Sequence, residues 1–173
     1  MEFQSCFDII GPIMVGPSSS HTAGVVSIGK FVHELVGGCP EKAEITFYGS
    51  FTETHQGHGT DKAILGGLLG MDTDDSRIKH AIKMTYEYGL NYKFQLEDSC
   101  PYFDHPNTTI VTAKRAGIEV KVGGASLGGG LSKIFMINDE LLDIRLSTSD
   151  EISTLVARHH QDMKKETVLK GVI

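Results

Sequence analysis

The chain has 173 residues, of which 22 are acidic and 16 are lysine or arginine, and its formal net charge is -6 at neutral pH. A chain of this length can bury a hydrophobic core of its own. The acidic balance, the lack of a basic block and apolar runs far shorter than about 20 residues exclude a nucleic-acid binder and a membrane-spanning protein.

The first half of the sequence predicts an alternation of helices and strands. Gly66-Gly67 lies inside one predicted helix, where each glycine costs about 1 kcal/mol relative to alanine, which indicates close packing against a second helix. The predicted elements in chain order are a helical turn at 5–10, a helix that follows the loop 16–24 and stops at 37–40, a strand at 43–51, a helix capped by Thr60, and a helix from Asp74 or Asp75 to Gly89 with Ile78, Ala81, Ile82 and Tyr86 on one face.

The second half predicts mainly strands, at 92–96, 108–113, 119–122, 131–137 and 141–146. The glycine-rich stretch 123–130 lacks the strand-to-helix context of a nucleotide-binding loop. It predicts a bulged, tightly packed hairpin, and a loop whose amides contact an anion is the alternative. The whole pattern predicts an α+β fold with a mixed or antiparallel sheet and helices packed on one side.

Beyond 147, the sequence predicts a strand at 152–158 and the start of a helix at 162–173. One strand and one helix cannot enclose a core of their own. We therefore divide the chain into a domain at 1–147 and a tail at 148–173, which begins a further domain or packs on a partner.

The loop GPSSSHTAG at 16–24 combines a turn, hydroxyl side chains, a histidine and a helix start. Serine or threonine before an apolar periodic segment is a typical N-cap, and this loop taken alone favours an ordinary capped helix. The alternative is a site for a carboxylate or phosphate, which the helix amides and dipole attract.

His21, His58 and His105 lie in loops among glycine, proline and hydroxyl residues. Imidazole titrates near physiological pH, and loops on a rigid scaffold commonly hold catalytic groups. His58 is the preferred proton-transfer base, because flanking glycines permit a ligand to approach and Asp61 is placed to orient its ring. A surface histidine that marks a turn is the alternative for each of the three.

Metal binding by this chain alone is not expected. His55 and His58 have the spacing HxxH, but a stable site needs three or four ligands on a defined frame. Cys6, Cys39 and Cys100 are far apart and form no CxxC pattern. Together with the lack of a basic apolar leader after Met1, they indicate reduced thiols in a cytoplasmic protein.

Five blocks resemble a known family in the family's own order, over most of residues 5–145. The family is the β chain, or β domain, of bacterial iron–sulfur-dependent L-serine dehydratase. The blocks are FDIIGPIMVGPSSSHTAG at 7–24, FYGSF at 47–51, GHGTDKAILGGLLG at 57–70, HPNT at 105–108 and SLGGG at 126–130.

The resemblance implies a lyase of amino-acid catabolism and gluconeogenesis that converts L-serine to pyruvate and ammonia. It implies an α-chain partner whose cysteines ligate a [4Fe-4S] cluster. It also implies a fold similar to the allosteric substrate-binding domain of some phosphoglycerate dehydrogenases, with residues 153–173 resembling the start of a regulatory ACT domain that this sequence does not complete. A homodimer is expected to be possible for the chain in isolation.

The reaction needs a base for the Cα proton of serine and an acid for its hydroxyl. On this basis His58 is predicted to take the proton and His105 to be a second acid, base or orienting group. The predicted substrate contacts are Ser18, Ser19, Ser20, His21, Thr22, Thr60, Asp61 and Asn107. Three alternatives stay open: the histidines stabilise the α-chain interface, the chain is a non-catalytic module that binds serine or another small anion, or it is a self-contained histidine-dependent hydrolase.

Overall fold

The computed structural model describes residues 12–146 of the chain. The predictions for 5–10, for Cys6 and for the tail at 148–173 lie outside the described residues. Within them, no helix is long and apolar enough to span a membrane.

The first helix begins with a π-helical segment, Ser19–Ala23, which continues directly into α1, Gly24–Val36. The other elements follow the predicted alternation of helices and strands. In chain order they are β1 Lys42–Gly49, α2 Ser50–Thr54, α3 Thr60–Leu68, a 3-10 helix Ser76–His80, α4 Ala81–Tyr88, β2 Asn91–Glu97, β3 Asn107–Arg115, β4 Ile118–Gly128, β5 Leu131–Ile137 and β6 Glu140–Leu146.

The six strands form one sheet in the order β2-β1-β3-β4-β5-β6. β1 and β2 are parallel, and the other neighbours are antiparallel. This arrangement confirms the predicted α+β class. Gly49 at the end of β1 pairs with Asn107 at the start of β3, and the turn between β4 and β5 follows at the same end. We call this end of the sheet the site edge.

The main core lies between the sheet and helices α1 and α3. α1 and α3 touch backbone to backbone, because a Cβ added at Gly67 would lie 2.3 Å from the Val26 carbonyl oxygen. A Cβ added at Gly29 would likewise lie 2.5 Å from the Ile64 carbonyl oxygen. The predicted close packing at Gly66-Gly67 is therefore confirmed, and it brings the starts of both helices to the site edge.

Two strand predictions have the wrong ends. The strand predicted to reach Phe51 stops at Gly49, whose φ of 54° and ψ of −124° turn the chain into α2. Only glycine tolerates this conformation readily, and an added Cβ would lie 2.8 Å from the Pro106 carbonyl oxygen. The strand predicted to stop at Val122 continues to Gly128, through register shifts that confirm a bulged hairpin.

The prediction for the third helix was partly wrong. Its first turn is a 3-10 helix, which Asp75 caps by accepting the backbone N–H of Arg77. Ile82 and Tyr86 are 40% and 94% exposed, so they do not lie on the buried face. The buried residues of this segment are Ile78, Ala81 and Thr85.

Candidate active site

The serine loop begins the site, and its predicted capping role is confirmed. The Ser18 hydroxyl accepts the backbone N–H of His21 at 3.1 Å, which satisfies one of the amides that a helix start leaves unpaired. One residue further on, the Thr22 hydroxyl donates to the carbonyl oxygen of His58 at 3.1 Å. The serine loop and the His58 loop, 36 residues apart in sequence, are thus joined directly.

His21 is held between two hydroxyl groups. Its Nδ1 lies 3.3 Å from the Ser18 oxygen, and its Nε2 lies 3.1 Å from the Ser50 oxygen. Since the Ser18 oxygen already accepts an N–H, its own proton is available to Nδ1. In that arrangement Nδ1 accepts, and the tautomer with the proton on Nε2, which donates to Ser50, satisfies both ring nitrogens.

The environment favours the neutral form of His21. Burial is the larger cause that lowers its pKa, and the neighbouring His58 lowers it further. The two imidazole rings are 4.8 Å apart between centroids and meet at 66°. On another side, the ring of His21 meets Phe51 edge to face at 5.4 Å. His21 is therefore a fixed, neutral donor and acceptor.

His58 precedes α3 and its ring is only partly buried. Its Nδ1 atom is nevertheless buried, and no described residue is hydrogen-bonded to it. Asp61 was expected to orient this ring, but its carboxylate accepts the N–H of Lys62 at 2.8 Å instead. The cap predicted at Thr60 is also wrong: Gly59 occupies the N-cap position, and the buried Thr60 hydroxyl has no partner among the described residues.

A pocket of about 210 Å³ opens beside His58, between the serine loop and the start of α3. Lys62 and Lys79 are its charged residues, and its lining contains no carboxylate, so the pocket suits a small anion. Of the predicted site residues, Thr22 and His58 line it, whereas Ser18, Ser19, Ser20, His21, Thr60, Asp61, His105 and Asn107 do not. The lining residues are Val15, Gly16, Pro17, Thr22, Gln56, Gly57, His58, Gly59, Lys62, Ile78 and Lys79.

His105 reaches the site edge from the loop before β3. The N–H of Asn107 donates to Nδ1 of His105 at 3.2 Å, so the ring proton lies on Nε2. Burial lowers the pKa of His105, and the adjacent Asp104 carboxylate opposes this effect only in part. The link to His21 runs through Ser50, whose N–H donates to the Pro106 carbonyl oxygen at 2.8 Å. His105 is thus a neutral hydrogen-bond donor at Nε2.

Buried polar atoms without a partner gather near the site edge. Within residues 12–146 these side-chain atoms are Nδ1 of His58, Oγ1 of Thr60, Oδ1 of Asn107 and Oγ of Ser126. Most buried polar groups in proteins are hydrogen-bonded, and exceptions require a functional or solvent explanation. Their concentration here supports this edge as the site.

The sequence analysis missed Ser50 and Ser126 as site residues. Ser50 lies in the FYGSF block, and its place directly after a strand and a glycine was the available signal. Ser126 packs closely on the start of α1, where a Cβ added at Gly24 would lie 2.1 Å from its hydroxyl oxygen. Nearby, the Ser132 hydroxyl donates to the Gly24 carbonyl oxygen at 2.7 Å. The SLGGG hairpin therefore packs against the start of α1, next to the serine loop, and does not line the pocket.

The described residues do not suit a metal or an iron–sulfur cluster. No three histidine, cysteine or acidic side chains in this part of the chain are grouped as metal ligands would be. Nδ1 of His55 is hydrogen-bonded to the Thr52 carbonyl oxygen at 2.9 Å, and His55 and His58 alone supply fewer than the three or four ligands that a stable site needs. Cys39 follows α1, whereas Cys100 packs against a separate hydrophobic cluster.

Comparisons with known proteins show the family to which the chain belongs. Residues 5–119 match the family described as "Serine dehydratase beta chain". The chain is 48% identical to a probable L-serine dehydratase beta chain of Bacillus subtilis, over 85% of this chain and 65% of that protein. It is 41% identical to an L-serine dehydratase beta chain of Peptoniphilus asaccharolyticus, over 90% of this chain and 68% of the relative. The matched region thus spans about two thirds of each relative's length.

Proposed function

Because the chain belongs to the serine dehydratase beta chain family, we propose that it is the beta subunit of an L-serine dehydratase that works with an alpha chain. The proposed reaction eliminates water from L-serine to give aminoacrylate, whose imine form is hydrolysed to pyruvate and ammonia. The observation that carries the proposal is the contact between the imidazole rings of His21 and His58, beside a pocket whose lining contains lysine and no carboxylate.

Serine is proposed to bind in this pocket with its carboxylate toward Lys62. The Ser18 hydroxyl is already engaged with His21, so the serine loop itself contributes Thr22 to the pocket lining. A lysine ammonium supplies a compact point charge for a carboxylate, and charge-assisted hydrogen bonds are among the stronger ones. This placement sets the Cα–H bond of serine near His58.

His58 is proposed to remove the Cα proton, and a neutral imidazole is the form that can accept it. His21 contacts His58 ring to edge and is kept neutral by burial, so it limits the positive charge next to the base. His105 is proposed to donate its Nε2 proton to a hydrogen bond with the departing hydroxyl. Asn107 fixes that tautomer through its backbone N–H.

The proposal places a [4Fe-4S] cluster on the alpha chain. The side chains described for this chain offer no suitable ligand group. The roles proposed for this chain are therefore substrate binding, proton removal from Cα and hydrogen bonding to the leaving group.

The test compares two histidines of the same loop, His58 and His55. After anaerobic reconstitution with an alpha chain, His58→Ala should lower kcat by about 10²–10⁴-fold. His55→Ala is the matched control, because His55 does not line the pocket, and it should leave kcat within about threefold of wild type. With serine deuterated at Cα, the wild type should show a primary isotope effect. Near-normal turnover by His58→Ala would falsify the assignment of the base.

The lysine-lined pocket also fits a second function, a non-catalytic module that binds serine or another small anion. In that case His58→Ala would keep the maximal rate and change only its dependence on serine concentration. Equilibrium dialysis with labelled serine, on the reconstituted enzyme, counts the bound molecules per beta chain. More than one bound serine per active site would favour the regulatory role.

A further inference from the structure

The loop at 98–106, which joins β2 to β3, covers a patch of the sheet outside the main core. This patch is a second hydrophobic cluster, separate from the one that packs on the helices. It consists of Tyr48, Ile110, Ala125, Phe135 and Met136, against which Cys100 and Phe103 pack from the loop. The loop ends at the site edge with His105, so whatever anchors the loop also places that histidine.

Phe103 is the anchor of this loop. Its ring stacks on Phe135 with centroids 4.8 Å apart and planes inclined by only 10°. The ammonium of Lys133 lies 5.2 Å from the centroid of Phe103, and an ion pair of 2.9 Å with Asp143 fixes that lysine. Aromatic stacking and a cation near the ring face both hold such a side chain in one orientation.

The ring of Phe135, on which Phe103 stacks, is tightly enclosed. Phe135 is only 2% exposed. It packs directly over Gly123, where an added Cβ would lie 2.5 Å from the ring. A side chain enclosed in this way has little freedom to change rotamer. Phe103 therefore stacks on a fixed surface of the sheet.

The anchor is coupled to His105 through short contacts. The N–H of His105 donates to the carbonyl oxygen of Phe103 at 3.1 Å, and the two rings lie 6.3 Å apart at 34°. On the other side, the Thr108 hydroxyl donates to the His105 carbonyl oxygen at 2.7 Å. Since Thr108 belongs to β3, Phe103 is the contact that determines the position of His105 on the loop side.

We propose that Phe103 is a positioning residue for His105, acting through its stack on Phe135. The contacts of Phe103 are observed distances and angles. The expected effect on the rate rests on the proposed function, in which His105 hydrogen-bonds to the leaving hydroxyl. A displacement of about 1 Å at a reacting group can cost about 100-fold in rate. Loss of the stack should therefore lower kcat by about 10–100-fold and change KM by less than about threefold.

The test uses Phe103→Leu, its conservative partner Phe103→Tyr, and Tyr102→Leu as the matched control. Tyr102 is the adjacent aromatic, 46% exposed, and its ring lies under Lys121 rather than on Phe135. The first readout is kcat against KM of the reconstituted enzyme. The second is the His105 imidazole resonance in the full chain, followed by NMR over a pH titration, which needs no activity.

We expect Phe103→Leu to lower kcat and to shift the His105 resonance and its titration midpoint, whereas Phe103→Tyr and Tyr102→Leu keep both. An unchanged resonance in Phe103→Leu overturns the proposal. If Phe103→Leu does not fold, Phe103→Met is the second variant, because it also removes the ring stack but keeps a longer side chain in the same place. An unchanged His105 resonance in Phe103→Met would likewise overturn the proposal. If Phe103→Leu shifts the His105 resonance but His105→Ala leaves the rate unchanged, the positioning role of Phe103 is upheld and the catalytic role of His105 is contradicted.

Discussion

Replacing Gly67 by alanine should separate α1 and α3, the two helices that begin just after His21 and His58. The added Cβ would lie 2.3 Å from the Val26 carbonyl oxygen and 2.7 Å from the Lys30 nitrogen, both backbone atoms of α1. Ordinary contact at a Cβ begins at about 3.4 Å, so α1 and α3 must move apart by about 1 Å. No side chain stands between the helices to absorb this shift.

The magnitude follows from two opposing effects. Overpacking of a well-packed contact costs about 1–3 kcal/mol, and a backbone-to-backbone clash belongs at the upper end of that range. Alanine instead of glycine inside a helix regains about 1 kcal/mol. The free energy of unfolding of Gly67→Ala should thus fall by about 2 kcal/mol.

Gly66→Ala is the matched control, because it gives α3 the same gain in helix propensity on another face. Its Cβ would meet the Cγ1 atom of Ile78 at 3.1 Å, and a side chain can yield by a few tenths of an ångström. Urea unfolding of the full chain, followed by circular dichroism, should find Gly66→Ala at least as stable as the wild type. Turnover after reconstitution should fall only in Gly67→Ala, because the 4.8 Å spacing of the imidazole rings depends on the helix crossing. If Gly67→Ala unfolds at the same urea concentration as Gly66→Ala, the inferred backbone contact is refuted.

Three further predictions concern the site itself. Ser50→Ala removes the partner of Nε2 of His21 and should lower kcat by about 10–100-fold in the reconstituted enzyme, while circular dichroism stays native; an unchanged kcat contradicts the role of that hydroxyl. Lys62→Met should raise KM for serine about tenfold with little change in kcat, as expected for loss of about 1.4 kcal/mol of carboxylate binding, and an unaffected KM removes Lys62 from the substrate site. Because burial lowers the pKa values of His21 and His105, the unfolded chain binds more protons than the folded chain below their ordinary pKa. The stability that they contribute is complete above about pH 6.5 and is lost as the pH falls through their folded pKa values, so the urea midpoint should fall on acidification, and less steeply in His21→Gln.

Local signals were sufficient for the parts of the site that depend on a few consecutive residues. Ser18 was predictable as a cap because serine before an apolar periodic segment supplies the oxygen that helix amides need. The close helix crossing was predictable from Gly66-Gly67, since paired glycines in a helix cost stability unless another element needs the space. The α+β class followed from the order of the elements.

Features that depend on contacts distant in sequence were not predictable. Ser50 reaches His21 across 29 residues, and only the fold shows that a strand end and a helix start meet there. The exposure of Tyr86 escaped prediction for a related reason, because helical spacing identifies a common face but not which element covers it. Asp61 was expected to serve His58, yet a local hydrogen bond to the Lys62 N–H takes its carboxylate.

Because the Asp61 carboxylate does not orient His58, the chemistry of the site differs from that of a histidine paired with a carboxylate. In the Ser-His-Asp arrangement, a carboxylate hydrogen-bonded to the imidazole stabilises the cation formed when the base takes a proton. Here, among residues 12–146, no carboxylate is hydrogen-bonded to the ring of His21, His58 or His105, and the hydrogen-bond partners of the His21 ring are the hydroxyls of Ser18 and Ser50. Hydroxyls orient an imidazole but stabilise its cation less than a carboxylate does, because charge-assisted hydrogen bonds are roughly twice as strong as neutral ones. His58 is thus proposed to remove the Cα proton without a carboxylate partner among the described residues, which is a physical reason for proposing that the two chains act together.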